Sequence, residues 1–490
     1  MALNWLVPLL ILLYFALLIL ISRITGRKAG NEAFFLGERK SPWYIVAYGM
    51  IGASLSGVTF ISIPGWVGNT SFHYFQMVLG YVVGYYVIAY VLMPVYYRMN
   101  VISIYSYLGQ RFGKASYKTG SLYFLLSRLI GASFRLYLVA IVLELIFKQM
   151  GFQIPFVFTV IATVVLIWLY TNKGGIKTII WTDTLQTTFM LAALVLTVFA
   201  IVDSLGASWS SLLQDMHTAG YSEWLSIGDF RRSDHFVKFF VSGALIAISM
   251  TGLDQDMMQK NLSCRNLTEA RRNMITFSWI LVFVNLIFLV LGGLLYLYTG
   301  KMEMDVPEKT DYLFPQIALS GELGMTVTVC FILGLIASAY SSADSALTAL
   351  TTSFSVDILE VNERYDEKVG ERKRRMVHIA MSAAIVLLIL LFRVINDDSV
   401  VSNLFKAAGY TYGPLLGMFT FGLATSFSVR DKWVPAVALI SPLLTYAIQS
   451  VLGSFFPEFE IGFEIILLNA MITFVGLLLL RNRHFKKQLI

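Results

Sequence analysis

The chain has 490 residues, of which 57% are hydrophobic and 14% charged, and its mean hydropathy is +0.70. That composition excludes a soluble globular domain as the bulk of the molecule and makes lipid its main solvent. The net charge of +7 then needs a topological explanation before any reading as nucleic-acid affinity.

Thirteen apolar stretches follow one another: 3–23, 44–66, 73–98, 119–148, 154–171, 177–203, 235–258, 272–298, 324–356, 377–394, 400–426, 433–453 and 461–480. Most are long enough to cross a hydrocarbon core of roughly 30 Å, which takes about 20 helical residues. The first has no Lys or Arg ahead of it and an apolar run longer than a signal-peptide core, so it reads as a retained helix. The longest hydrophilic gap, about 204–234, is too short to build a core of its own, so 1–490 is expected to be one all-α membrane domain of about 13 spans. With an outside N-terminus, the odd-numbered gaps and the C-terminal tail face in. The segments 23–40, 98–118, 173–177, 260–272, 364–375, 430–432 and 481–487 then hold most of the 37 Lys and Arg. Only Lys148, Arg231, Arg232, Lys238, Lys301, Lys309 and Arg393 fall outside, as the positive-inside rule requires. The charge balance reports topology, and the expected partner is the lipid bilayer, not a nucleic acid.

The second stretch contains Gly49, Gly52, Gly57 and the pair Pro64-Gly65, and the seventh contains Gly243 and Gly252 just before an acidic cluster. Glycine and proline at that density suggest broken helices, although small residues also permit close packing. The two segments lie five spans apart, an odd offset. Two five-helix units, 44–203 and 235–426, would therefore be inverted in the membrane, each opening on a discontinuous helix. That pattern points to a secondary transporter with its site near the midplane.

In the ninth stretch, "IASAYSSADSALTALTTSFS" (336–355) places Ser338, Ser341, Ser342 and Ser345 at i, i+3, i+4 and i+7, a single helix face continued by Thr352. Serine in a membrane helix commonly bonds back to its own carbonyls. Four on one stripe suit a different role, because hydroxyls, with carbonyls freed at a helix break, coordinate a small monovalent cation stripped of water. The charges expected within spans are Arg128, Arg135, Glu144, Asp183, Asp344 and Lys406, each costly in lipid unless paired or functional. Asp183 is either interfacial or part of the site. Asp344 borders the hydroxyl stripe, or else caps a neighbour or binds Lys406. Cys264 and Cys330 are not expected to pair. The histidines His73, His217, His235, His378 and His484 are scattered, with no metal spacing, phosphate loop or catalytic constellation, so the chain is not read as an enzyme.

The stretches "VISIYSYLGQRFG" (101–113), "GGIKTIIWTDTLQ" (174–186), "TGLDQDMMQKNLSCRNLTEARR" (251–272), "SSADSALTALTTSFSVDI" (341–358) and "YTYGPLLGMFTFGL" (410–423) resemble the signature segments of the sodium:solute symporter family. "GASLSGVTFISIPG" (52–65) is most similar to the bacterial sodium:sialic acid symporters within it. The resemblance implies a LeuT-type inverted five-plus-five repeat, 433–480 as two further C-terminal helices, and sodium-driven uptake of a small-molecule solute by alternating access across the plasma (inner) membrane, the C-terminus cytoplasmic. It implies one Na+ held by backbone oxygens of Gly52, Leu55 and Ser338 with the hydroxyls of Ser341 and Ser342. A second would lie at Asp183, Ser341, Asp344 and Ser345, where Asp344 departs from the serine of the sialic acid symporters. Substrate contacts carried over are Ser56, Thr59, Gln76, Arg135 and Lys406. Arg128, seven residues before Arg135 on nearly the same face, competes for the substrate, the other arginine pairing with Glu144 or a lipid headgroup. No obligate protein partner is evident. A proton-coupled symporter, or a substrate sensor without concentrative uptake, is the alternative. Substrates compatible with the residues are sialic acid, another sugar acid, a sugar or a polyol, and an arginine in the cavity favours an anion.

Overall fold

The structure, a computed structural model, describes residues 2–26, 31–149, 151–171, 175–395, 400–456, 458 and 461–485. Residues 27–30, 173–174 and 486–487 of three basic segments counted above lie outside the described residues. Each of the thirteen stretches is helical. They form α1 (Ala2–Thr25), α2 (Trp43–Ser54) with α3 (Gly57–Thr70), α4 (Tyr74–Val87, running on through Ile88–Leu92 to Met99), α5 (Lys114–Gln149), α6 (Phe156–Thr171) and α7 (Ile176–Leu205). After them come α8 (Phe236–Ala247) with α9 (Gln255–Leu262), α10 (Leu267–Lys301), α11 (Met325–Ser353), α12 (Glu367–Ile395), α13 (Val400–Ala424), α14 (Val434–Phe455) and α15 (Ile465–Leu479). Among the described residues, seven helices are long and apolar enough to cross a membrane, and two bent pairs, each taken as one span, bring the number to nine.

Both expected breaks are present. The α2–α3 pair bends by 58° and the α8–α9 pair by 65°. The break in the first pair falls at Leu55 and Ser56, whose backbones leave the helical region. Pro64 and Gly65 lie inside continuous α3. Gly243 is likewise inside a straight helix, where an added Cβ would stand 2.1 Å from the carbonyl oxygen of Met77. That glycine serves close packing of α8 on α4; the second break follows a π-helical turn at Ile248–Gly252. Asp254 then starts α9, its side chain accepting from the N–H groups of Asp256 and Met257 at 2.9 and 3.3 Å.

Two expectations are corrected. The basic segment 364–375 is not mainly loop: α12 begins at Glu367, ten residues before the apolar run, and Arg374 is buried over the Phe34 ring at 4.2 Å. Lys260, counted with the inside loops, lies in α9 and is 1% exposed. The fold is all-α as expected, with one short antiparallel pair added, Phe427–Val429 (β1) with Arg481–Phe485 (β2). Arg111 of the 101–113 signature explains how α13 ends beside β1. Its buried guanidinium donates to the carbonyls of Gly422, Thr425 and Phe427, satisfying a helix C-terminus that has run out of N–H partners.

Candidate functional site

The break between α2 and α3 strips the last α2 carbonyls and first α3 N–H groups of intrahelical partners. α11 and α7 pass beside it. Ser342 Oγ donates to the carbonyl of Ala53 at 3.1 Å, and the N–H of Gly52 donates to Thr187 Oγ1 at 3.1 Å. A Cβ on Gly52 would stand 2.4 Å from that hydroxyl, so only glycine lets α2 approach α7 this closely. Ser341 Oγ donates to Asp183 Oδ1 at 2.7 Å. The structure therefore brings Gly52 and Ala53 to Ser341 and Ser342, with Leu55 two residues further on at the break itself. Ser338 shares the face, but its hydroxyl bonds back to Leu335 within α11 at 2.9 Å. Ala53 and Thr187 belong to the same cluster; neither carried a signal beyond lying on the broken segment or within a run of threonines.

Asp183 is not interfacial. It is 1% exposed, and its second oxygen accepts from Lys260 Nζ at 2.7 Å. Asp344 is fully buried and accepts from Tyr170 Oη at 2.9 Å and from the N–H of Ser345 at 2.6 Å. It neither caps a neighbouring helix nor meets Lys406. The hydroxyl of Ser345 bonds Asp256.

A cavity opens beside the first break. Ser56, Thr59, Arg128 and Arg135 line it with Asn285 and the tyrosines Tyr74, Tyr81 and Tyr85, against an apolar wall that includes Met250, Leu281 and Phe405. Arg128 does not pair with Glu144, which binds Arg393 at 2.8 and 3.2 Å instead. It is paired with Asp256 and lies 3.8 Å from Asp254, which in turn accepts from Tyr412 Oη at 2.5 Å. Arg135 has no such acid: no ion pair to it is found among the described residues, and its Nε, like that of Arg128, is buried without a hydrogen-bond partner. Two expected contacts stand outside the cavity. Gln76 is wholly buried, donating to the carbonyls of His73 and Asp234 and accepting from the N–H of Ser226, so its amide holds the loop before α8. Lys406 lines a separate vestibule with Trp66, Arg232 and Asp234.

The chain as a whole is similar to known proteins. The family model for the sodium:solute symporter family matches residues 34–426. The chain belongs to that family. A sodium-coupled monocarboxylate transporter 1 of Xenopus laevis is 25% identical over 85% of this chain and 68% of its own. A sodium/sialic acid symporter of Proteus mirabilis is 23% identical over 84% of this chain and 83% of its own. A solved Na+-coupled sialic acid symporter in a substrate-bound outward-open state superposes with a TM-score of 0.82 at 19% identity, covering 97% of each chain. The fold is thus the LeuT-type inverted repeat. A nucleobase-cation-symport-1 transporter shares it more distantly, with a TM-score of 0.56 at 17% identity over 90% of this chain and 92% of its own. The chain is a multi-pass membrane transporter and not an enzyme.

Proposed function

We propose that this protein is a sodium-driven symporter that imports a small organic acid by alternating access, a sugar acid such as sialic acid or a shorter monocarboxylate being the substrate class. The carrying observation is the buried Arg135 guanidinium, which faces the central cavity without an acid partner beside a broken helix and two serine hydroxyls. An unpaired cation in a low-dielectric cavity is costly, and a carboxylate satisfies its planar fork. Ser56 and Thr59 offer hydroxyls to the rest of the solute, and the aromatic and aliphatic wall takes its apolar part. A neutral sugar or polyol leaves Arg135 without counter-charge. The proposed sodium site is made by Gly52, Leu55, Ser338, Ser341 and Ser342, next to the solute, so that each ligand stabilises the conformation the other needs. The proposed membrane is the plasma (inner) membrane, with the N-terminus outside, the C-terminus cytoplasmic and 44–203 and 235–426 as the inverted units. Similarity to transporters whose names specify monocarboxylates and sialic acid supports an acidic cargo.

A thermal-shift screen of the purified protein against sugar acids, short monocarboxylates, sugars and polyols, in sodium chloride or choline chloride at one pH, tests this. An acid that raises the melting temperature only in sodium is expected. At a hundred times its Kd it contributes about 2.7 kcal/mol. Arg135→Lys should weaken that acid by roughly tenfold, because an ammonium cannot reproduce the two-pronged contact. Equal stabilisation in choline chloride favours proton coupling. Binding without accumulation in proteoliposomes favours a sensor.

A further inference from the structure

Asp183 and Lys260 are each 1% exposed and stand 2.7 Å apart. The ammonium sits on the same carboxylate that a second sodium would share with Ser341, Asp344 and Ser345. The other members of that set are also engaged. Ser341 donates to Asp183, Ser345 to Asp256, and Asp344 accepts from Tyr170 and from the backbone. Lys260 is not a flexible surface charge that has swung inward. Asp256 and Lys260 lie four residues apart on α9, Ser341 and Ser345 four apart on α11, and the two helices meet directly through Asp256 with Ser345, while Lys260 and Ser341 both bond Asp183 of α7 between them. Two helical repeats in register, with Asp254 fixing the start of α9, deliver the ammonium to the ion site.

We propose that Lys260 is a tethered cation filling the second cation position, so that the protein binds one sodium ion per chain, at the α2–α3 break, and supplies the other positive charge itself. An ammonium is a compact charge of +1 with three donors on a flexible stem, which makes it a substitute for a desolvated monovalent ion at a carboxylate. Without Lys260, Asp183 is a buried carboxylate lacking a counter-charge, and a cation from solution is the available replacement. The inference rests on the sodium-symport reading and settles the ion count within it.

Equilibrium binding of radioactive sodium to the purified protein, together with melting temperatures in sodium chloride titrated against choline chloride, tests it without a solute. Wild type should bind one ion per chain. Lys260→Met should bind two and show about a twofold steeper dependence of melting temperature on the logarithm of sodium concentration. The pair Lys260→Met with Asp183→Asn should return to one ion. Two ions in wild type overturn the proposal, and so does a Lys260→Met protein that melts cooperatively and still binds one. If Lys260→Met does not fold, the wild-type count decides alone. A wild type that binds no sodium overturns the symport reading as well, an outcome distinct from a count of two.

Discussion

Single hydroxyls carry unequal weight on the serine stripe. Ser338 Oγ closes on its own helix, whereas Ser342 Oγ reaches across to Ala53 at the break and Ser341 Oγ to Asp183. Removing the Ser342 hydroxyl takes one ligand from a cation that has few, while leaving Ser338 and Asp183 in place. A hydrogen bond to a charged group is worth about 1.5–3 kcal/mol, so Ser342→Ala should raise the half-saturating sodium concentration roughly 10- to 100-fold. Sodium titration of solute uptake, or of the melting temperature, checks this. Ser338→Ala should leave the value within a few-fold of wild type, since only its backbone oxygen is assigned to the ion. Equal effects of the two substitutions would remove Ser342 from the site.

Helix contacts are set by small residues rather than by shape alone. α4 and α8 touch backbone to backbone. A Cβ on Gly80 would stand 2.1 Å from the carbonyl oxygen of Phe240, and one on Gly243 the same distance from that of Met77. Such contacts replace the hydrophobic effect as the force joining helices in lipid. Gly243→Val must push the helices apart or distort them, at a cost of about 1–3 kcal/mol for overpacking. The melting temperature should fall by several degrees for this variant, while Gly453→Ala, where an added Cβ meets nothing within 4 Å, should be close to neutral. Both glycines stand in apolar segments. Composition alone does not separate them, because what distinguishes them is the neighbouring helix.

For the molecule as a whole, the two bent pairs sit in matching positions of inverted halves, and both break regions border the cavity: Leu55 and Ser56 on one side, Thr251 and Met257 on the other. A ligand that prefers one arrangement of the halves shifts the population toward it. Thr59 lines the cavity and is partly exposed. In a protein with Cys264→Ser and Cys330→Ala, Thr59→Cys should therefore react with a membrane-impermeant thiol reagent at a rate that changes several-fold when sodium replaces choline. A rate independent of sodium would show that the ion does not bias the arrangement of the two halves.

Contiguous residues are enough to identify the solvent, the thirteen helical stretches, the two breaks and the hydroxyl stripe. Hydropathy and helical period are local properties, so Ser341 and Ser342 announce a common face before any fold is known. Resemblance to family segments likewise marks Ser56, Thr59 and Arg135. The partnerships come from tertiary packing. Lys260 looks like one more cation at the end of an apolar run, and only packing joins it to Asp183, 77 residues earlier. Arg128 and Arg135 occupy one face of one helix, and the structure separates them because Asp254 and Asp256 arrive beside Arg128 from α9. Gln76 and Lys406 enter the expected substrate set by their place along the chain, yet the loop before α8 and a separate vestibule hold them. Electrostatic pairing depends on distances between segments remote in sequence, and no local period encodes those.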